Sequence, residues 1–328
     1  MTSPNLQEIT VQMAMDEFVD MIRRSRSSNT TLSYAKGLQF FAGVLKSEKI
    51  DAATTPISQL TEDVIPCLLE ALKYFAPATE QLYLTAAKRF YHFIVSRKWA
   101  EINLPRLNEF ITQQARRPGQ RLPQFPRDDI EQVLEFISLM VPSVEPVERL
   151  RYLRDKAFLL TLADTGLRVH EACALRRGDI DWNEGHAIII GKGDKQAVIR
   201  FSNRSLRALK DYLAARASID GESGRSLTSL PLFARHDKGA GKKVKPISTT
   251  TGRDIVHARV IQALGEVGEK WITPHSFRHY FVTSVLRASG NLKLAQELAR
   301  HANIQVTQRY AHLSNEELDK GYHQIFDK

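Results

Sequence analysis

The stretch HSFRHYF, residues 275–281, places His275 and His279 four residues apart with Arg278 between them. Histidines at i and i+4 share one face of a helix, the spacing with which a zinc protease presents two metal ligands. A dication held there would lie within one turn of the Arg278 guanidinium. Position 276 carries Ser where such a protease needs a Glu as base. The spacing alone raises a metal, but with no acid in the segment to offset the repulsion its neighbours argue against one. Arginine beside histidine suits a phosphate or carboxylate instead, because the guanidinium fork donates two parallel hydrogen bonds to paired oxygens.

Further residues of the same chemical character follow the same reading. In RYLRDKAFLLTLADTG, Gly166 takes the position that stops a helix, and LRVHEACAL opens a short second helix at once. Arg168 therefore stands at a helix start, where main-chain N–H groups also point outward and an anion is favoured. Lys192, in GKGDK, sits between two glycines at the tip of a hairpin, where the backbone comes close to a ligand. His301 and Tyr310 lie further on, in RHANIQVTQRYAHL. Taken singly, a helix-surface arginine, a core histidine and an exposed turn lysine are ordinary features. Their weight lies in the ordered set Arg168, Lys192, His275, Arg278, His301 and Tyr310.

The elements that must position this set are mainly helical. NTTLSYAKGLQFFAGVL places Leu32, Leu38, Phe41 and Leu45 near helical spacing behind a Ser28–Asn29 cap. TEQLYLTAAKRFYHFIVSRKW does the same behind Thr79 with Leu82, Ala86, Phe90 and Phe93. Its Lys88, Arg89, Arg97 and Lys98 form either a solvated face or a nucleic-acid contact. The period is lost in QQARRPGQRLPQFPRDD, residues 113–129, whose prolines and arginines mark an extended basic linker. That linker either connects two domains through solvent or lies along a phosphate backbone. The expected division is a helical domain over 1–114, a linker over 115–125, and a second domain over 126–328. Within the second, DIDWNEGHAIIIGKGDKQAVIRFS changes to strand period with turns at Asn-Glu-Gly and Gly-Lys-Gly-Asp, which predicts a small antiparallel sheet. RHDKGAGKKVKPIS reads as a basic loop, and helices follow from Thr249 to the end.

Length and composition agree with this division. A chain of 328 residues exceeds what one core usually supports, and 43% hydrophobic with 25% charged residues is ordinary for a globular protein. A formal charge of +9 favours a polyanionic partner. No apolar run is long enough to span a bilayer, and the N-terminus lacks the basic start and apolar core of a signal peptide, so a membrane partner loses ground and a cytoplasmic protein is expected. Cys67 and Cys173 lie far apart in apolar segments without metal-ligand spacing, and read as reduced core residues.

The blocks DTGLRVHEACAL, IIGKGDK, TPHSFRHYF and RHANIQVTQRYAHL resemble, in order and internal spacing, the signature blocks of the tyrosine recombinases and integrases. The likeness covers about residues 126–328, and the helical first part is similar in pattern to that family's core-binding, SAM-like domain. The resemblance implies a catalytic domain that cleaves and rejoins double-stranded DNA at specific sites, with no cofactor and no metal. Tyr310 would be the nucleophile, Arg168 and Arg278 would clamp the scissile phosphate, and Lys192 would be the general acid, with Lys195 as its rival. His275 and His301 would be the acid/base and phosphate-donor histidines, and Glu171 a support for a catalytic side chain. His279 is expected to bond within the domain. Tyr280 and Tyr322 are rival nucleophiles, one in an apolar helical pattern and one in the tail.

Two positions depart from the family pattern: Arg300 stands where Gly usually precedes the second histidine, and Arg309 adjoins the nucleophile. The tail SNEELDKGYHQIFDK opens with a capping box and carries Leu318, Tyr322, Ile325 and Phe326 as an apolar stripe. It would either pack on its own domain or dock into a neighbour of a DNA-bound tetramer. The first helix begins almost at once, leaving no room for an extra arm-binding domain, so a Xer-like or mobile-element recombinase acting at the nucleoid is expected. A topoisomerase-like strand transferase and a non-cleaving DNA-binding relative are the alternatives.

Overall fold

A computed structural model describes residues 9–116, 126–190, 196–237, 239, 243–266, 272–301 and 303–308. The chain divides into two units, Met1–Arg121 and Leu122–Lys328. The architecture is mainly α with one three-stranded antiparallel sheet.

The first unit holds α1 (Val11–Ser25), α2 (Ser28–Ser47), α3 (Ile65–Leu72), α4 (Pro77–Ser96) and α5 (Leu104–Gln114). Helix α2 begins behind Ser27, one residue before the expected cap, because the Ser27 hydroxyl accepts the Thr30 N–H. The start of α4 is earlier too, since Pro77 has the φ of a first helical turn and gives up no needed donor. Leu38, Phe41 and Leu45 face the core as expected, but Leu32 is 56% exposed and Tyr34 fills the buried stripe in its place. Likewise Ala86, Phe90 and Phe93 are buried and Leu82 is not. Where α2 and α4 cross, a Cβ on Gly37 would meet the Ala86 Cβ at 3.1 Å, so small residues set the approach.

The start of the expected linker proves to be part of this unit. Arg116 donates through Nε to Glu80 at 2.6 Å and through Nη2 to the Phe75 carbonyl at 2.6 Å. Glu80 is buried, and a carboxylate removed from water needs a cation this close. Two arginines of the basic helix are also engaged: Arg97 pairs with Glu17 at 3.0 Å and lies over Phe93, and Arg89 lies over Tyr34.

The second unit contains α6 (Arg127–Leu139), α7 (Pro146–Thr165), α8 (Val169–Ala174), β1 (Ile180–Asp181), β2 (His186–Ile190), β3 (Gln196–Arg200), α9 (Asn203–Ala215), α10 (Ala217–Gly221), α11 (Thr249–Leu264), α12 (Pro274–Ser289), α13 (Leu292–Ala299) and α14 (Ile304–Gln308). Helix α7 is buried on all sides from Ala157 to Ala163, where it runs through the core and Phe158 packs edge-on against Phe233 with ring centroids 5.0 Å apart. Its buried Asp155 is held by Arg154 at 2.7 Å and by Arg259 of α11 at 2.7 Å. β2 pairs with β3 from His186 opposite Arg200 to Ile190 opposite Gln196, so residues 191–195 form the connection. Ala187 and Ile189 point into the core, while Ile188 and Ile190 are exposed on the other face. Cys173 is buried and Cys67 half-buried, and both thiols are free. Among the described residues, no helix is long and apolar enough to cross a membrane.

Candidate active site

Helix α7 ends where Gly166 adopts φ +61°, a left-handed turn that a side chain would resist. A Cβ at Gly166 would also run into the Phe281 ring of α12. Leu167 is then fully buried, and Arg168 becomes the extended N-cap of α8. Three residues on, Glu171 reaches back: its Oε2 accepts the Arg168 N–H at 2.8 Å and its Oε1 accepts Arg168 Nη1 at 3.0 Å. This is a capping box with the acid at the third position, and it aims the Arg168 side chain, 43% exposed, away from the core. Glu171 therefore supports Arg168.

Helix α12 opens with Pro274 behind Thr273, whose N–H donates to the Ser276 hydroxyl at 3.1 Å. Position 276 thus serves the helix start. Arg278, one turn on, is buried and donates to the carbonyls of Gly166 and Ala299. Two of the five N–H donors of a guanidinium are engaged in this way. Arg278 therefore fastens the end of α7 and the end of α13 to α12.

His301 follows α13 in the turn that Arg278 holds. The His301 N–H donates to the Gln296 carbonyl at 3.1 Å, and Gln296 Nε2 donates to the His301 carbonyl at 3.0 Å. Its ring Nδ1 lies 2.8 Å from the hydroxyl of Thr307, a fully buried residue of α14. Burial, then the Arg278 and Arg168 guanidiniums, with further contributions from His275 and Arg300, bring His301 down to about 4. Burial, Arg278 and Arg168 also lower His275. The same two arginines act on both histidines, so four residues from three separate stretches of chain form one cluster. Both shifts favour the neutral imidazole.

His279 stacks edge-on against His275, with centroids 4.3 Å apart, and burial, then its neighbours His275, Arg278 and His301, lower it to about 4. Tyr280 packs against the core and contacts Arg204, which argues against its use as nucleophile. Among the described residues, no group of three or more His, Cys, Asp or Glu is arranged to hold a metal. Lys192 and Lys195 lie outside the described residues, between the ends of β2 and β3. Tyr310, Arg309, Tyr322 and the tail lie outside them too, and Tyr310 is two residues beyond the end of α14. Gln296 and Thr307 are supports that sequence reading did not find. Neither has a spacing signal, because each meets His301 through a turn.

With this geometry in place, comparison with known proteins is decisive. The Phage integrase family matches residues 125–317. The chain belongs to the phage integrase family. Tyrosine recombinase XerC of Pelobacter propionicus is 31% identical over 318 residues, covering 93% of this chain and 91% of the relative. XerC of Bacillus subtilis is 27% identical, covering 92% and 91%. Among solved structures, XerH site-specific recombinase bound to its difH substrate covers 96% of this chain and 85% of its own at TM-score 0.67 and 18% identity. A lambda integrase dimer bound to a core site matches at TM-score 0.61 and 15% identity, covering 94% and 98%. These two likenesses establish the fold. This phage integrase is a tyrosine recombinase, an enzyme of site-specific recombination.

Proposed function

We propose that this integrase cleaves and rejoins double-stranded DNA at specific recombination sites through Tyr310. The phenolic oxygen attacks the scissile phosphorus, the new P–O bond to Tyr310 forms, and the bond to the 5′ oxygen breaks. The phosphodiester energy is kept in the 3′-phosphotyrosyl bond, so the reverse attack by a 5′ hydroxyl needs neither ATP nor a metal. His275, neutral at working pH, takes the phenolic proton, and Lys192 gives a proton to the departing 5′ oxygen. Arg168 and Arg278 hold the non-bridging oxygens as charge builds in the transition state. His301, whose Nδ1 is paired with the Thr307 hydroxyl, donates to the phosphate from Nε2 in the tautomer that carries its proton there.

The observation that carries this reading is the convergence of Arg168, His275, Arg278 and His301. Glu171 pairs with Arg168 and Arg300, so its charge is shared by two arginines. A pocket of that composition selects a phosphate. Strand exchange between two sites requires four cleavages, so the working species is a tetramer on DNA, acting at the nucleoid in the cytoplasm.

The test is selection of covalent adducts from a library of nicked duplexes of random sequence. Wild type should retain a discrete set of sequences on denaturing gels, and Tyr310→Phe none. Adducts formed by Tyr310→Phe would reassign the nucleophile, and none from wild type would refute the proposal.

A further inference from the structure

Arg300 caps α13 with φ 58° and ψ 44°, a left-handed conformation that side chains other than Gly adopt at a penalty. Such a position is usually left to glycine. Here it carries a long cation whose side chain is turned inward and only 11% exposed. Its Nη2 donates to Glu171 Oε2 at 3.0 Å, the oxygen that also accepts the Arg168 N–H. Its Nε is enclosed with no acceptor among the described residues, so Glu171 is the contact that holds it.

We infer that Arg300 is a positioning residue of the phosphate pocket. It shares the Glu171 carboxylate with Arg168, and so locks the turn bearing His301 to the helix start bearing Arg168. Three ties converge on residues 299–301: Arg278 donates to the Ala299 carbonyl, Arg300 to Glu171, and Gln296 to the His301 carbonyl. Removing Arg300 frees the middle one. It also changes the charge of the pocket. One carboxylate set between two guanidiniums leaves one net positive charge beside His301, which already faces Arg278, Arg168 and His275. Without Arg300, Glu171 neutralises Arg168 alone, and His301 is protonated more readily. Glu171 itself stays ionised: burial works to raise it, but the Arg168 N–H and the two guanidiniums together hold it below the usual carboxylate range.

This inference rests on the phosphate-pocket reading above, and single-turnover cleavage separates the two. The probe is a nicked duplex bearing a sequence that wild type captures covalently. Arg300→Gly, which suits the backbone, should fold and bind this duplex normally but cleave more slowly by a factor on the order of 10². The acid limb of its pH–rate profile should move to higher pH. Arg300→Lys should recover part of the rate. Glu171→Gln combined with Arg300→Gly should be no slower than the slower single variant, because both act through one contact. Wild-type rate and pH profile in Arg300→Gly, or fully additive losses in the pair, would overturn the role of Arg300. Undiminished cleavage by Arg168→Ala would instead overturn the pocket itself.

Discussion

Replacing Glu171 with Ala removes the acceptor of three donors at once: the Arg168 N–H, Arg168 Nη1 and Arg300 Nη2. The three losses differ in size. Arg300 is enclosed, and orphaning one partner of a buried pair costs about 3–5 kcal/mol. The Arg168 side chain is 43% exposed, so its share is about 0–1 kcal/mol, and loss of the helix cap adds about 1 kcal/mol. Some relaxation of the Arg300 side chain toward solvent offsets part of this, leaving about 3 kcal/mol as the expected loss. In a unit of roughly 200 residues, each kcal/mol lowers the midpoint by about 2–4 °C, so the transition should fall by about 6–12 °C. Scanning calorimetry of the full chain near neutral pH provides the measurement, with the unit Met1–Arg121 as an internal reference. The double variant Glu171→Ala/Arg300→Gly carries no orphaned guanidinium and relieves the left-handed strain at 300, worth about 1–3 kcal/mol. It should therefore melt above Glu171→Ala. A single variant within about 2 °C of wild type, or a double variant melting lower still, would refute the ion pair as the source of stability.

The remaining predictions concern protonation and backbone. His301 and His279 are depressed from 6.5 to about 4 in the folded chain, so the unfolded chain binds their protons first as pH falls. The stability they contribute is complete above 6.5 and is lost progressively toward 4, so the urea midpoint should drop between about pH 7 and about pH 5; a flat midpoint would contradict buried neutral imidazoles. Gly166→Ala forces a side chain into φ +61° and against Phe281, and should destabilise by more than about 1 kcal/mol. Because Arg278 donates to the Gly166 carbonyl, DNA cleavage at permissive temperature should also slow, and an unchanged melting point would refute the account of that turn.

The parts of this fold legible in the sequence are those governed by local periodicity and turn chemistry. The alternation in HAIII separates buried Ala187 and Ile189 from exposed Ile188 and Ile190, and Gly166 ends α7 where a left-handed residue is needed. The errors arise where tertiary contact chooses among equally apolar positions. Leu32 and Tyr34 both satisfy a helical stripe, and the tyrosine is buried because Phe18 stacks on it at 6.3 Å. Arg116 looked like linker because nothing local distinguishes it from its neighbour Arg117, and its partner Glu80 lies 36 residues earlier.

The site was legible as a set of residue types and opaque as an arrangement. The pairing of Arg168 with Glu171 is local, a capping spacing that any reader of the chain can see. The same carboxylate's bond to Arg300 spans 129 residues, and no pattern in either segment announces it. Arg278 shows the consequence for function. From spacing alone it is an arginine one turn from His275, free to face a phosphate. In the fold it bonds the main chain at Gly166 and Ala299, and these two carbonyls fix the guanidinium in place. Moving it would break contacts with two helix ends at once. Rigid placement of charge before the substrate arrives is what electrostatic stabilisation of a phosphoryl transition state requires. Arg300, where the family resemblance leads to an expectation of Gly, lies on the same frame through its bond to Glu171.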